Sequence, residues 1–179
     1  MAAYLGIDPS LTATGWILVD GDRIDFGCIR TKPEQKKRHT FKSDDTTRRL
    51  ELILRALGNA CANRILRCIE FACEQPAGAQ SAAAASALGE VHGALVGWFF
   101  ALGVLDRVRW IPARDGKLAL AGSVGASKDL MVGKAANFLS VRATREKHML
   151  FSCATKVEQE AMADALGVLL ASKLMKEGA

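Results

Sequence analysis

No apolar run in these 179 residues reaches the ~18 needed to cross a bilayer. The apolar stretch at residues 94–104 is too short to span and reads as the end of a buried helix. The N-terminus, MAAYLGIDPSL, lacks the pattern of a secretory signal, which leads us to expect a cytoplasmic protein with no membrane partner. The five cysteines form no CxxC pair and no Cys/His cluster at zinc spacing, which excludes a zinc ribbon or a redox dithiol motif. Cys68 and Cys73 fall in or beside an apolar segment, where a reduced thiol packs as a small hydrophobe. Internal repeats and long linkers are also missing, so residues 1–179 read as one domain.

What is present is a globular composition: 50% hydrophobic residues and 24% charged ones. The formal net charge of +5 leans toward a polyanionic partner. Much of it sits in residues 32–49, KPEQKKRHTFKSDDTTRR, around Lys36, Lys37 and Arg38. Such a segment is either a solvated loop or a phosphate contact, and charge alone does not choose between them.

Strand-length apolar runs occur at residues 4–8, 15–20 and 24–29, with Gly21-Asp22 as a hairpin turn between the last two. Three strands joined by short turns imply an antiparallel meander. After the basic segment, Asp44 or Asp45 can cap a helix whose apolar face is Leu50, Ile53, Leu54 and Leu57. Residues 67–74, RCIEFACE, form a strand that follows a helix and therefore pairs in parallel. An alanine-rich helix at 81–100, a short strand at 108–111 and helices at 126–139 and 157–175 complete the reading. The expected class is α/β: a mixed five-stranded sheet, antiparallel meander plus parallel strands, flanked by helices.

Three acids stand out. Asp8 closes an apolar run and precedes Pro9, as either a turn-forming residue or a ligand held on a rigid strand. Glu74 occupies a similar strand end, sharing a face with Glu70 and Ala72, opposite Ile69, Phe71 and Cys73 by period-two alternation. Asp164 sits among Met162, Leu166, Val168 and Leu169 on the last helix. Singly, each reads as a capped or surface carboxylate. Together they describe a hard-cation site, since magnesium takes oxygen ligands and clustered carboxylates need a counter-charge. Two such ions can serve phosphodiester hydrolysis.

The segment GIDPSLTATGWILVD resembles the first strand and hairpin of the RuvC Holliday-junction resolvases, members of the RNase H-like superfamily. FGCIRTK resembles that family's third strand, FACEQP its second acidic strand, and LGEVHGAL and ADALGVLL its following and last helices. The resemblance implies an RNase H-like fold and a magnesium-dependent endonuclease, with two ions per site and manganese as a substitute. It implies a homodimer that resolves four-way junctions and other branched DNA, leaving 5′-phosphate and 3′-hydroxyl ends, with a branch-migration helicase as partner. Asp8, Glu74 and Asp164 match its catalytic metal ligands. Lys117 and Lys128, in PARDGKLALAGSVGASK, match lysines that serve catalysis and DNA contact. The helix at 81–100 would carry the dimer interface.

Two departures matter. The family often places an aromatic wedge just after the acid-Gln pair, whereas this chain reads Glu74-Gln75-Pro76-Ala77-Gly78. The family's last helix usually carries a second acid three residues before the matched aspartate, and that position is Ala161. At ~100° per residue, Glu160 lies about 40° from Asp164 around the helix, and is expected to supply the fourth metal-binding carboxylate, while Glu158 should be solvated. Alternatives to junction resolution are an RNase H-like or phage-type nuclease on hybrids or flaps, and a catalytically silent nucleic-acid-binding module.

Overall fold

The computed structural model describes residues 2–34, 41–76, 78 and 81–177; the basic residues Lys36, Lys37 and Arg38, and Ala77 at the wedge position, lie outside them. Strands β1 (Ala3–Asp8), β2 (Ala13–Asp20) and β3 (Arg23–Arg30) form the meander. Helix α1 (Lys42–Cys61) and a 3₁₀ turn at Ala62–Arg67 lead into β4 (Cys68–Glu74). Then come α2 (Ala82–Ala101), β5 (Val108–Ile111), α3 (Ala113–Ala121), α4 (Lys128–Arg142), α5 (Arg145–Cys153) and α6 (Lys156–Glu177). The sheet order is β3-β2-β1-β4-β5, with β1–β2 and β2–β3 antiparallel and β1–β4 and β4–β5 parallel. The meander, the parallel pairing of β4 and the five-stranded sheet are as expected.

Alternation along β1 divides the core in two. Ala3, Leu5 and Ile7 pack with Ile53 and Leu57 of α1 and Val91, Leu95 and Phe99 of α2. On the other face, Ile17 and Ala72 pack with Met131 and Leu139 of α4, Phe151 of α5 and Leu166 and Leu169 of α6. No helix among the described residues is long and apolar enough to cross a membrane. Burial pushes the Cys61 thiol up to about 12 and Cys68 up to about 11, so both pack as neutral hydrophobes.

Helix α6 lies across β1, β2 and β4, and two glycines let it come that close. A Cβ on Gly6 would press into the Ala165 carbonyl and the Leu169 Cβ, and one on Gly15 would press into the Ala161 carbonyl. Helix α3 packs on α6 in the same way: a Cβ on Gly167 would stand 2.9 Å from the Gly116 carbonyl oxygen.

Four details differ from the sequence reading. Helix α1 begins at Lys42, so Asp44 and Asp45 lie in its first turn and do not cap it; Asp45 instead accepts from Arg48 Nη2 at 2.6 Å and the Glu34 amide at 3.1 Å. In β4 the register slips where Ala3 faces Cys68 but Tyr4 faces Glu70. That irregularity leaves Ile69 48% exposed, off the face of Phe71 and Cys73. Helix α3 has no counterpart among the elements expected from the sequence, because Gly116 weakens it by about 1 kcal/mol relative to alanine; packing on Gly167 holds it, and Gly122 at φ 75° ends it. Helix α5 went unseen because only Phe151 of its nine residues is buried, although Thr144 caps it.

The edge strand β3 is tied down by charge. Asp25, only 5% exposed, accepts from Arg23 Nε at 2.9 Å, Arg64 Nη1 at 2.5 Å and the Lys147 ammonium. Arg64 comes from the turn after α1 and Lys147 from α5, so one carboxylate joins elements from both sides of the sheet.

Candidate active site

Parallel pairing sets the first two acids side by side. Ile7 faces Cys73 across β1 and β4, so Asp8 and Glu74, one residue further on, end neighbouring strands in the same row. Asp8 follows the alternation of Gly6, whose open face meets α6, and Glu74 follows that of Ala72, which packs in the α6 core. Asp164 comes from α6 itself, between the two residues whose carbonyls abut Gly15 and Gly6. The close helix-on-sheet contact thus lowers the third carboxylate onto the strand ends.

The electrostatics record this convergence. Burial, then the charges of Glu74 and Asp164, push Asp8 well above the ordinary carboxylate range, while Lys128 pulls it down. Burial and Asp164 push Glu74 up to about 7, against the pull of Lys117 and Lys128. Asp164 is raised by burial and by Glu160, with both lysines opposing. Three desolvated carboxylates, each raised further by a neighbouring carboxylate, are a site short of positive charge.

Two lysines face that deficit. Lys117 stands on α3, fixed by the Gly116–Gly167 contact. Lys128 is the first residue of α4, whose N-cap Ser127 accepts from the Leu130 amide at 3.3 Å. Its ammonium lies 2.6 Å from Glu160 Oε2, and that hydrogen bond raises the lysine pKa. Lys117 on α3, Lys128 on α4 and Asp164 and Glu160 on α6 therefore meet at one end of the sheet with Asp8 and Glu74. The structure pairs Glu160 with Lys128. Glu158 is not simply solvated: it accepts from the Thr155 amide and hydroxyl, both at 2.8 Å, as the return half of a capping box on α6. The Thr-x-x-Glu spacing carried that signal in the sequence.

Among the described residues, no group of three or more His, Cys, Asp or Glu side chains is arranged to hold a metal ion. Magnesium does not require one, since it keeps several waters and binds one or two carboxylates with substrate phosphates. The donor set fits such a hard cation: all oxygens, on rigid elements, with pKa values raised first by burial and then by neighbouring carboxylates.

No family model matches the chain, and no curated protein matches it in sequence. Solved structures do. The chain is similar to the T. thermophilus RuvC in complex with a Holliday junction substrate, at TM-score 0.68 and 21% identity, covering 99% of this chain and 97% of that one. It is also similar to a second structure of Thermus thermophilus RuvC, at TM-score 0.65 and 22% identity over 98% and 96% of the two chains. The chain has the RNase H-like fold of those structures, over nearly its whole length.

Proposed function

We propose that this chain is a structure-selective DNA endonuclease that resolves four-way junctions as a homodimer, with magnesium as its cation and manganese as a substitute. The observation that carries this reading is the placement of Asp8 and Glu74 on adjacent strand ends with Asp164 opposite on α6. Asp8, Glu74 and Asp164 would hold the cations, which supply Lewis-acid stabilisation to the phosphate and activate the attacking water. Lys117 and Lys128 add ammonium charge beside the same carboxylates, available to the phosphate oxygens that gain charge. Water adds to phosphorus and the P–O3′ bond breaks, which gives 5′-phosphate and 3′-hydroxyl ends. Affinity would come from basic side chains, those of Lys36, Lys37 and Arg38 among them, and from Lys128.

A junction has near two-fold symmetry, which a C2 dimer matches with two identical sites. The outer face of α2 supports such a dimer. Gly89, Gly93 and Gly97 recur every four residues, each with nothing within 4 Å of where a Cβ would stand, and Phe100 beside them is 74% exposed. A helix face so bare lets a second copy approach closely. A branch-migration helicase is the protein partner this function would call for, in a cytoplasmic setting.

The deciding experiment sets synthetic four-way junctions beside flap and RNA–DNA hybrid substrates, with Mg²⁺ and with EDTA. Symmetric, Mg²⁺-dependent nicks near the branch point are expected. Preferential cutting of hybrids or flaps would transfer the chemistry to another nucleic acid. Tight junction binding with no cutting in either condition would leave a binding module.

A further inference from the structure

Glu160 faces Lys128, and the surroundings give that pairing a purpose. Lys128 occupies the first position of α4, where the helix dipole is unfavourable to a cation. Its side chain is 68% exposed, while that of Glu160 is only 15% exposed. The half-buried partner therefore anchors the exposed one. A second ion pair, Lys156 to Asp129 at 2.8 Å, joins the same two helix starts. Glu160 stands one helical turn before Asp164 on α6, so the ammonium it holds at 2.6 Å is brought beside the cluster, and its charge opposes the raised pKa values of Asp8, Glu74 and Asp164. Ala161, where the resembling family carries an acid, is 5% exposed with its carbonyl against Gly15, so this side of the site has no carboxylate of its own.

We propose that Glu160 is a positioning residue: its carboxylate fixes the Lys128 ammonium at the mouth of the Asp8–Glu74–Asp164 cluster instead of ligating the cation. This rests on the endonuclease reading for what the cluster holds. Glu160 and Lys128 then form a charge-neutral clasp, and the cation site has three carboxylates with an ammonium beside them. The sequence expectation of a fourth ligand at Glu160 is replaced by a lysine held in place.

The two roles differ in how substitutions combine. Mn²⁺ affinity, measured by electron paramagnetic resonance without DNA, is compared for the wild type, Glu160→Gln, Lys128→Met and the double variant. A clasp predicts opposite shifts, several-fold weaker for Glu160→Gln and several-fold tighter for Lys128→Met. The double variant, having lost a neutral pair, returns to within about threefold of wild type, since ΔΔG values that cancel restore the equilibrium. A double variant that stays about tenfold weaker or more makes Glu160 a ligand and overturns the proposal. So does a set of variants all equal to wild type, because the pair would then not bear on the site. Lys128 is exposed, so Lys128→Met keeps its fold and remains informative if Glu160→Gln does not. If the wild type binds Mn²⁺ but cuts no junction, the endonuclease reading fails while the titrations still decide the role of Glu160.

Discussion

Gly15 of β2 lies directly against the Ala161 carbonyl of α6, and this contact fixes the height of the helix that carries Asp164 above the strand ends. A methyl group here meets backbone, which cannot rotate away. Gly15→Ala should destabilise the protein by about 3 kcal/mol, the upper end of the usual cost of overpacking, in urea unfolding. Gly133→Ala, on an exposed part of α4 where a Cβ meets nothing within 4 Å, should gain up to about 1 kcal/mol from helix propensity. Equal effects at the two sites would mean that α6 rides more loosely than the contact indicates.

Asp25 should make the fold acid-sensitive. Burial alone would raise its pKa, but hydrogen bonds from Lys147 and Arg64 outweigh that and hold it at about 2. A depressed folded-state pKa adds stability that is present above the unfolded value and lost as pH falls through the folded one. Wild-type stability should therefore drop between about pH 4 and pH 2, and Asp25→Asn should flatten that part of the profile. At pH 7 the variant leaves Arg64 and Lys147 facing each other uncompensated, at a cost of about 3 kcal/mol. A variant with an unchanged acid limb would remove Asp25 from the account.

Asp8→Asn should abolish cleavage and spare junction binding. On the proposed reading it removes a cation-binding charge from the cluster, while the basic side chains that would supply affinity are untouched. Gel-shift affinity within about threefold of wild type is expected, with cleavage down by more than three orders of magnitude, as when metal-assisted chemistry is lost. Cleavage within tenfold of wild type would remove Asp8 from the site.

The strands were legible because period-two patterning and turn residues are local: residues 4–8, 15–20, 24–29, 67–74 and 108–111 fall on the five observed strands within two residues at each end. Asp8 and Glu74 were legible as strand-end acids for the same reason. What the sequence hid were effects of packing between distant elements. The helix carrying Lys117 forms around Gly116 only because Gly167 leaves room for it. Ile69 leaves its expected face because β1 and β4 slip in register at one point. The partner of Glu160 is 32 residues away on a different helix, where helical angles around α6 cannot see it.

Junction affinity should fall with salt along a log–log slope near −0.9 per phosphate contact. Replacing Lys36, Lys37 and Arg38 together by alanine should make that slope shallower by up to about 2.7, three contacts at 0.9 each. An unchanged slope in a filter-binding series would make the segment ordinary solvated surface.

The dimer can be tested without touching the site. Gly93 is central in the row Gly89, Gly93, Gly97 on α2, facing away from Val91, Leu95 and Phe99, which pack into the core. In a monomer, Gly93→Leu has open space around it and adds helix propensity of about 0.8 kcal/mol, so the fold should be no less stable. In a dimer packed through this face, a leucine at its centre forces two helices apart and loses their contacts. Sedimentation equilibrium should show a wild-type dimer and a variant dissociating at least tenfold more readily, both with native circular dichroism. Each variant protomer keeps its own Asp8, Glu74 and Asp164, so Mn²⁺ binding per chain should be unchanged. Paired cutting of opposed strands should nevertheless fall, because the second nick depends on a second site held across the junction. A wild-type monomer, or a variant that dimerises as well as wild type, would move the interface off α2.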